Sequence, residues 1–237
     1  MKVIYAQSTM YRKAEYAVLT QFIESEGKRF VLKKAENKKA IPFVNGFVKN
    51  YHEMVKQYGE EHVANGELLS PGLFKMEYVY GETFAYRCMK CLQDGDFERF
   101  IHRILYYYQH ILCNYEDDNI AIDGFDFTSP DRQYNIDLNL GNIIFISDTD
   151  DFKIIDYEWL IPQISKQFVF FRTILSLYME KGEIFEKHNM SLDTLLQGCG
   201  MDKNEINMFM KQEELFYDNV LDWSTKRNEK AMAVVNF

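Results

Sequence analysis

The chain has 237 residues, of which 47% are hydrophobic, enough for an extensive core in one large domain or two small lobes and too many for disorder to be the default. Its 27 lysines and arginines against 36 acidic residues give a net charge of −9, which repels a phosphate backbone and speaks against nucleic acid as a partner. No apolar run approaches the roughly eighteen residues needed to span a bilayer, so no transmembrane segment is expected and the chain reads as soluble and cytoplasmic.

Val3 to Ala6 and Ala14 to Glu24 read as strands, and the turn Ser25-Glu26-Gly27 leads into a third from Arg29 to Lys33. Val44, Phe47, Val48, Tyr51, Met54, Val55 and Tyr58 recur at helical spacing and predict a helix from Ile41 to Tyr58. Two further strands, Glu67 to Leu69 and Leu73 to Tyr80, flank the turn Ser70-Pro71-Gly72. Beyond Gly81 the character changes. Ile101, Ile104, Leu105, Tyr108, Ile111 and Leu112 form an apolar stripe on a long helix that Asp94 or Asp96 can cap. Asn142 to Ile146 and Phe152 to Ile155, around Ser147-Asp148-Thr149-Asp150, read as a hairpin. A helix follows from Phe168 to Glu180, and Asp202 with Glu205 has the spacing of a capping box that opens a last long helix. The class is α+β: an N-terminal antiparallel sheet with one helix over residues 1–80, then a mainly helical part over 81–237.

The four cysteines, Cys88, Cys91, Cys113 and Cys199, are too few and too scattered for a disulfide framework. Cys88 and Cys91 form a C-x-x-C, but zinc needs a second ligand pair at matching spacing, so two helical neighbours explain them.

The chemistry concentrates after Tyr134. Asp137 precedes Asn142 by five residues, and a hydrophobic strand follows directly, which is the spacing of a kinase catalytic loop. There one carboxylate orients an acceptor hydroxyl while an amide oxygen a turn away holds magnesium on the phosphates. Fourteen residues beyond Asn142, Asp156 ends the second hairpin strand and can serve as the main magnesium ligand. Magnesium uses few protein oxygens, so Asn142 and Asp156 with phosphate oxygens suffice. The bland alternative is an ordinary hairpin with Asp137 capping a turn, since Asp and Asn are common in loops. The order of the three residues around one hairpin favours the joint reading.

Asn-Ile-Asp-Leu-Asn-Leu-Gly-Asn at 135–142 and Ile-Ile-Asp-Tyr-Glu-Trp at 154–159 resemble the catalytic and metal motifs of aminoglycoside phosphotransferases, choline kinases and lipopolysaccharide kinases. Tyr11-Arg12, the strand Val31 to Ala35, and Phe168 to Arg172 also resemble kinase modules attached to bacterial glycosyltransferases and methyltransferases of surface-polysaccharide synthesis. The resemblance implies a bilobal protein-kinase-like fold with ATP and Mg2+ between the lobes. It also implies phosphoryl transfer to a hydroxyl of a sugar or surface glycan, with a glycosyltransferase or methyltransferase as partner. Lys33 then meets the α- and β-phosphates; its alternation with Val31 puts both on one face, with Lys34 pointing away. Met76 takes the gatekeeper position, and main-chain groups of Glu77, Tyr78 and Val79 meet adenine.

Rival readings are a small-molecule kinase for an aminoglycoside or amino alcohol, and a nucleotide-binding pseudokinase serving as an interaction module. The segment from Tyr115 to Asp126, with five acids and no base, suits an amine-bearing acceptor, although a solvated loop explains it better. Three departures from the family pattern stand out. No glycine-rich loop lies between the first two strands, where Ser8, Thr9, Arg12 and Lys13 are the substitutes on offer. Asn135 stands where the family has histidine. Glu53, the one acid in the predicted helix, points to the solvent face rather than to Lys33.

Overall fold

The computed structural model describes residues 1–116, 124–146 and 151–224. The turn expected at 147–150 and the greater part of the acidic segment, 117–123, lie outside the described residues. Contacts divide the chain into two units, residues 1–80 with residues 215–224, and Gly81–Glu214.

The first unit is an antiparallel sheet of five strands: β1 Lys2–Ser8, β2 Val18–Ser25, β3 Lys28–Ala35, β4 Gly66–Ser70 and β5 Leu73–Glu77, in the order β1-β2-β3-β5-β4. The β2–β3 hairpin turns through Glu26 and Gly27, both at positive φ, as Ser25-Glu26-Gly27 predicts. The second strand starts later than expected, because residues Ala14–Tyr16 form a 3-10 turn. Between β3 and β4 the expected single helix is two, α1 Ile41–Asn45 and α2 Phe47–Tyr58, which meet at Gly46. Of the predicted stripe Val44, Phe47, Tyr51 and Met54 are buried, Val48, Val55 and Tyr58 are half-buried, and Asn50 joins the buried face. Phe47 packs edge-on against Phe74 of β5 at 5.7 Å. Residues 215–224, expected with the helical part, join this unit: the Lys13 N–H donates to Val220 O at 2.8 Å, and the Asp222 N–H to Tyr11 O at 3.0 Å.

The second unit is mainly helical. It contains β6 Glu82–Thr83, α3 Phe84–Gln93, α4 Phe97–Tyr106, β7 Tyr134–Asn135, β8 Ile143–Phe145, β9 Phe152–Ile154, β10 Leu160–Ile161, α5 Lys166–Lys187 and α6 Leu192–Gly198. α7, Lys203–Val220, begins here and ends among the contacts of the first unit. Of the two candidate caps, Asp96 does the work, accepting the Arg99 N–H at 3.0 Å. α4 then passes into a π-helical turn at Tyr107–Ile111. The capping box forms as expected: Asp202 Oδ1 accepts the Glu205 N–H at 2.9 Å and Glu205 Oε2 accepts the Asp202 N–H at 2.8 Å. Phe168 and Phe171 of α5 pack on Phe209 of α7 at 5.7 and 5.5 Å to build the core.

The expected hairpin is β8 paired with β9, and β6 adds a third strand on the other side of β8. Gly81 makes that docking possible: a Cβ there would sit 2.1 Å from Phe145 O, and its φ of +155° suits only glycine. Cys88 and Cys91 are buried neighbours on α3, and burial pushes the Cys88 thiol well above its ordinary range. Among the described residues no helix is long and apolar enough to cross a membrane.

Candidate active site

The helical unit brings Asp137, Asn142 and Asp156 onto one frame. Two short ladders build it. β7 pairs with β10, which holds Asn135 opposite Leu160, and β8 pairs with β9, which places Ile143 opposite Ile154. The loop 136–142 leaves the first ladder and enters the second, and residues 155–159 return. Ile155 N–H to Asn142 O at 2.9 Å and Ile136 N–H to Trp159 O at 2.9 Å stitch the outgoing and returning segments together.

Asn135 is the centre of this arrangement. It is fully buried, its amide donates to Asp156 O at 2.6 Å, and its Oδ1 accepts the Asp137 N–H at 3.0 Å. One neutral side chain thus ties both acid-bearing segments, which requires a donor and an acceptor but no protonation change. Asn139 repeats the pattern, accepting the Gly141 N–H at 2.9 Å and donating to Asp137 Oδ1 at 3.2 Å. The Asn142 amide donates to Asp137 O at 2.8 Å. That bond orients its Oδ1, which makes no hydrogen bond among the described residues. The buried phenols Tyr107 and Tyr115 donate to Leu138 O and Asn135 O. Burial raises the Tyr107 phenol far above its ordinary range, so it stays a donor.

Sequence reasoning missed one partner of Asp137. Arg172 of α5 is 6% exposed, yet its Nη2 lies 3.5 Å from Asp137 Oδ1 and its Nη1 donates to Glu213 of α7, which is also buried. A buried guanidinium needs such company. The signal was present: Arg172 is a lone cation in the apolar run Phe168-Val169-Phe170-Phe171, where helical periodicity offers it no solvent face.

A magnesium ion fits this donor set. Asn142 supplies an oriented amide oxygen with no hydrogen-bond partner among the described residues, and Asp156 supplies a carboxylate whose Oδ1 accepts the Glu158 N–H at 3.3 Å. Both are hard oxygens, and magnesium tolerates so few protein ligands because water and phosphate complete its octahedron. Among the described residues no group of three or more His, Cys, Asp or Glu could hold a metal ion.

The remaining expected residues belong to the first unit. Lys33 and Val31 of β3 face inward together, at 5% and 6% exposure, while Lys34 is exposed. Lys33 Nζ stands 5.9 Å from the centroid of the Phe47 ring. Glu53 does not depend on Lys33 for a counter-charge: its carboxylate is 3.8 Å from Lys56 Nζ. Met76 is buried opposite Val31. The Glu77 N–H donates to Asn65 O at 2.8 Å, so it is engaged within the protein, whereas neither main-chain polar group of Val79 is hydrogen-bonded among the described residues.

The polar loop between β1 and β2 differs from expectation. Ser8 donates to Glu36 Oε1 at 2.6 Å, Thr9 Oγ1 both donates to Val18 O at 3.0 Å and accepts its N–H at 2.8 Å, and Lys13 Nζ donates to Asp218 O at 2.7 Å. These side chains hold the loop rather than stand ready for an anion.

No family model matches the chain, and no curated protein matches it in sequence. Among solved structures it is similar to a macrolide 2'-phosphotransferase type I, at 12% identity and a TM-score of 0.42 over 97% of this chain and 90% of that one. It is also similar to a spectinomycin phosphotransferase solved with ADP and spectinomycin, at 11% identity and a TM-score of 0.40 over 99% and 88%. A third is a Plasmodium vivax ethanolamine kinase, at 11% identity and a TM-score of 0.36 over 90% and 72%.

Proposed function

We propose that this chain is an ATP-dependent phosphotransferase acting on a hydroxyl of a sugar or surface glycan. The observation that carries the reading is the frame just described, in which Asn135 fixes Asp137 and Asp156 together and Asn142 presents an amide oxygen. In-line phosphoryl transfer asks a protein for positioning and charge stabilisation more than for covalent chemistry. Asp137 orients the acceptor hydroxyl. The acceptor oxygen bonds to the γ-phosphorus as the bond to the bridging oxygen breaks and leaves with ADP, and the hydroxyl proton passes to Asp137 and on to water.

Asn142 and Asp156 hold magnesium, which when bound neutralises phosphate charge. Lys33 supplies a cation to the α- and β-phosphates, Met76 borders adenine, and the chain from Glu77 through Tyr78 to Val79 offers it main-chain groups, of which those of Val79 are uncommitted among the described residues. ATP places the reaction in the cytoplasm, and a glycosyltransferase or methyltransferase working on the same glycan is the partner the reading implies.

A nucleotide-binding module without turnover is the second reading, and the committed side chains of Ser8, Thr9 and Lys13 favour it. Calorimetric titration of ATP with and without magnesium, into wild type and Asp156→Ala, is the test. Magnesium-dependent binding weakened at least about tenfold in Asp156→Ala supports the site. No binding of ATP by the wild type under either condition overturns it.

A further inference from the structure

The helical unit contains a cavity of about 510 Å³ whose lining includes none of the residues assigned above to ATP or magnesium. Ala85, Tyr86 and Met89 of α3 form one wall, and Ile184 of α5 faces them. The floor reaches the catalytic loop at Gly141, the residue before Asn142. Its size lies within the range of small-molecule sites, about 300–1,000 Å³, and its mostly apolar lining is typical of them.

Two details bear on what it holds. Glycine at 141 lets the loop approach the cavity without a side chain; a Cβ there would crowd Asn139 Oδ1 at 3.1 Å, disturbing the bond that shapes the loop. α5 leaves helical geometry at Lys181, with φ −132° and ψ 25°, just where it lines the cavity. Glu180 and Lys181, the charged members of the lining, are both exposed and pair with each other at 3.0 Å, so the lining carries no net charge. A polycation would meet here one exposed carboxylate already paired with Lys181 and otherwise mostly apolar walls, whereas an apolar body gains by covering those walls.

We infer that this cavity seats the acceptor, and that the acceptor is an uncharged hydroxyl compound with an apolar portion, of the kind a glycoside with an apolar aglycone presents, rather than a polyamine. The inference rests on the phosphotransferase reading for the word acceptor. The pocket itself is tested separately from ATP binding.

The experiment follows the methyl NMR signals of Met89 and Ile184 in the full chain during titration with phenyl β-glucoside and, separately, with the polycation kanamycin. ATP binding is measured by calorimetry on the same samples. The glucoside is expected to shift both methyl signals and kanamycin neither. Gln93→Trp and Ala85→Phe, which crowd the cavity from the less buried side of α3, are each expected to weaken the glucoside at least about tenfold and to leave ATP affinity unchanged. Two variants guard against misfolding of one.

Shifts caused by kanamycin alone, or glucoside binding indifferent to both variants, overturn the inference. ATP binding with no probe at Met89 and Ile184 sinks the cavity inference while the phosphotransferase reading stands. Glucoside binding without ATP binding removes the acceptor role and the phosphotransferase reading together.

Discussion

The segment of residues 135–142 and the segment of residues 7–13 are both short and polar, but they use their side chains differently. In the first, asparagine amides and two buried phenols bond to the main chain, and the loop is held while Asp137 and Asn142 keep polar atoms for other work. In the second, the hydroxyls of Ser8 and Thr9 and the ammonium of Lys13 are themselves the fastenings. A loop rich in hydroxyls and cations is therefore not an anion site by composition. What decides is whether the groups that would meet the anion are already bonded within the protein.

Removing the central asparagine tests the first loop most severely. Asn135→Ala breaks two hydrogen bonds and leaves the half-buried Asp137 N–H and Asp156 O without them. A destabilisation of about 2–4 kcal/mol in urea unfolding is expected, with loss of magnesium-dependent ATP binding even where the variant remains folded. A variant that lost stability and kept full nucleotide affinity would show that the frame does not position the residues proposed to hold the metal.

Thr9→Val addresses the second loop. It removes both hydroxyl bonds to Val18, and a loss of about 1–3 kcal/mol is expected with ATP affinity unchanged. A drop in ATP affinity at unchanged stability would instead put Thr9 on the phosphates and erase the contrast between the loops.

The smallest effect concerns the phenol beneath the first loop. Tyr107→Phe loses the bonds to Leu138 O and Thr173, about 1–2 kcal/mol at neutral pH. Burial favours the neutral phenol, so its folded pKa lies above the ordinary 10.0 of the unfolded chain. Its contribution is therefore complete below that value and declines as the pH rises through it toward the folded pKa. The variant should lose less stability than wild type on passing above pH 10.0, as denaturant midpoints would show. Equal alkaline losses in the two proteins would mean that Tyr107 ionises freely.

Where the sequence reading and the fold diverge, the cause is chain geometry rather than polarity. The strand expected from Ala14 begins at Val18 because the preceding residues turn, and the helix expected from Ile41 to Tyr58 is divided at Gly46 although its apolar stripe continues across the division. Hydrophobic period reports which face is buried and is silent on where one helix stops and the next begins.

The sequence by itself determined what depends on near neighbours. The inward turn of Lys33 beside Val31 follows from the two-residue period of a strand, and the reciprocal bonds of Asp202 and Glu205 follow from their three-residue spacing. The β8–β9 pairing that Asn142 and Asp156 flank was legible for the same reason. Tertiary structure alone decided the company these groups keep. Arg172 reaches Asp137 across 35 residues and Glu213 across 41, and Asn135 reaches Asp156 O across 21. Pairings at such separations are set by how helices and ladders dock, and no local propensity encodes the distance between two buried side chains that far apart.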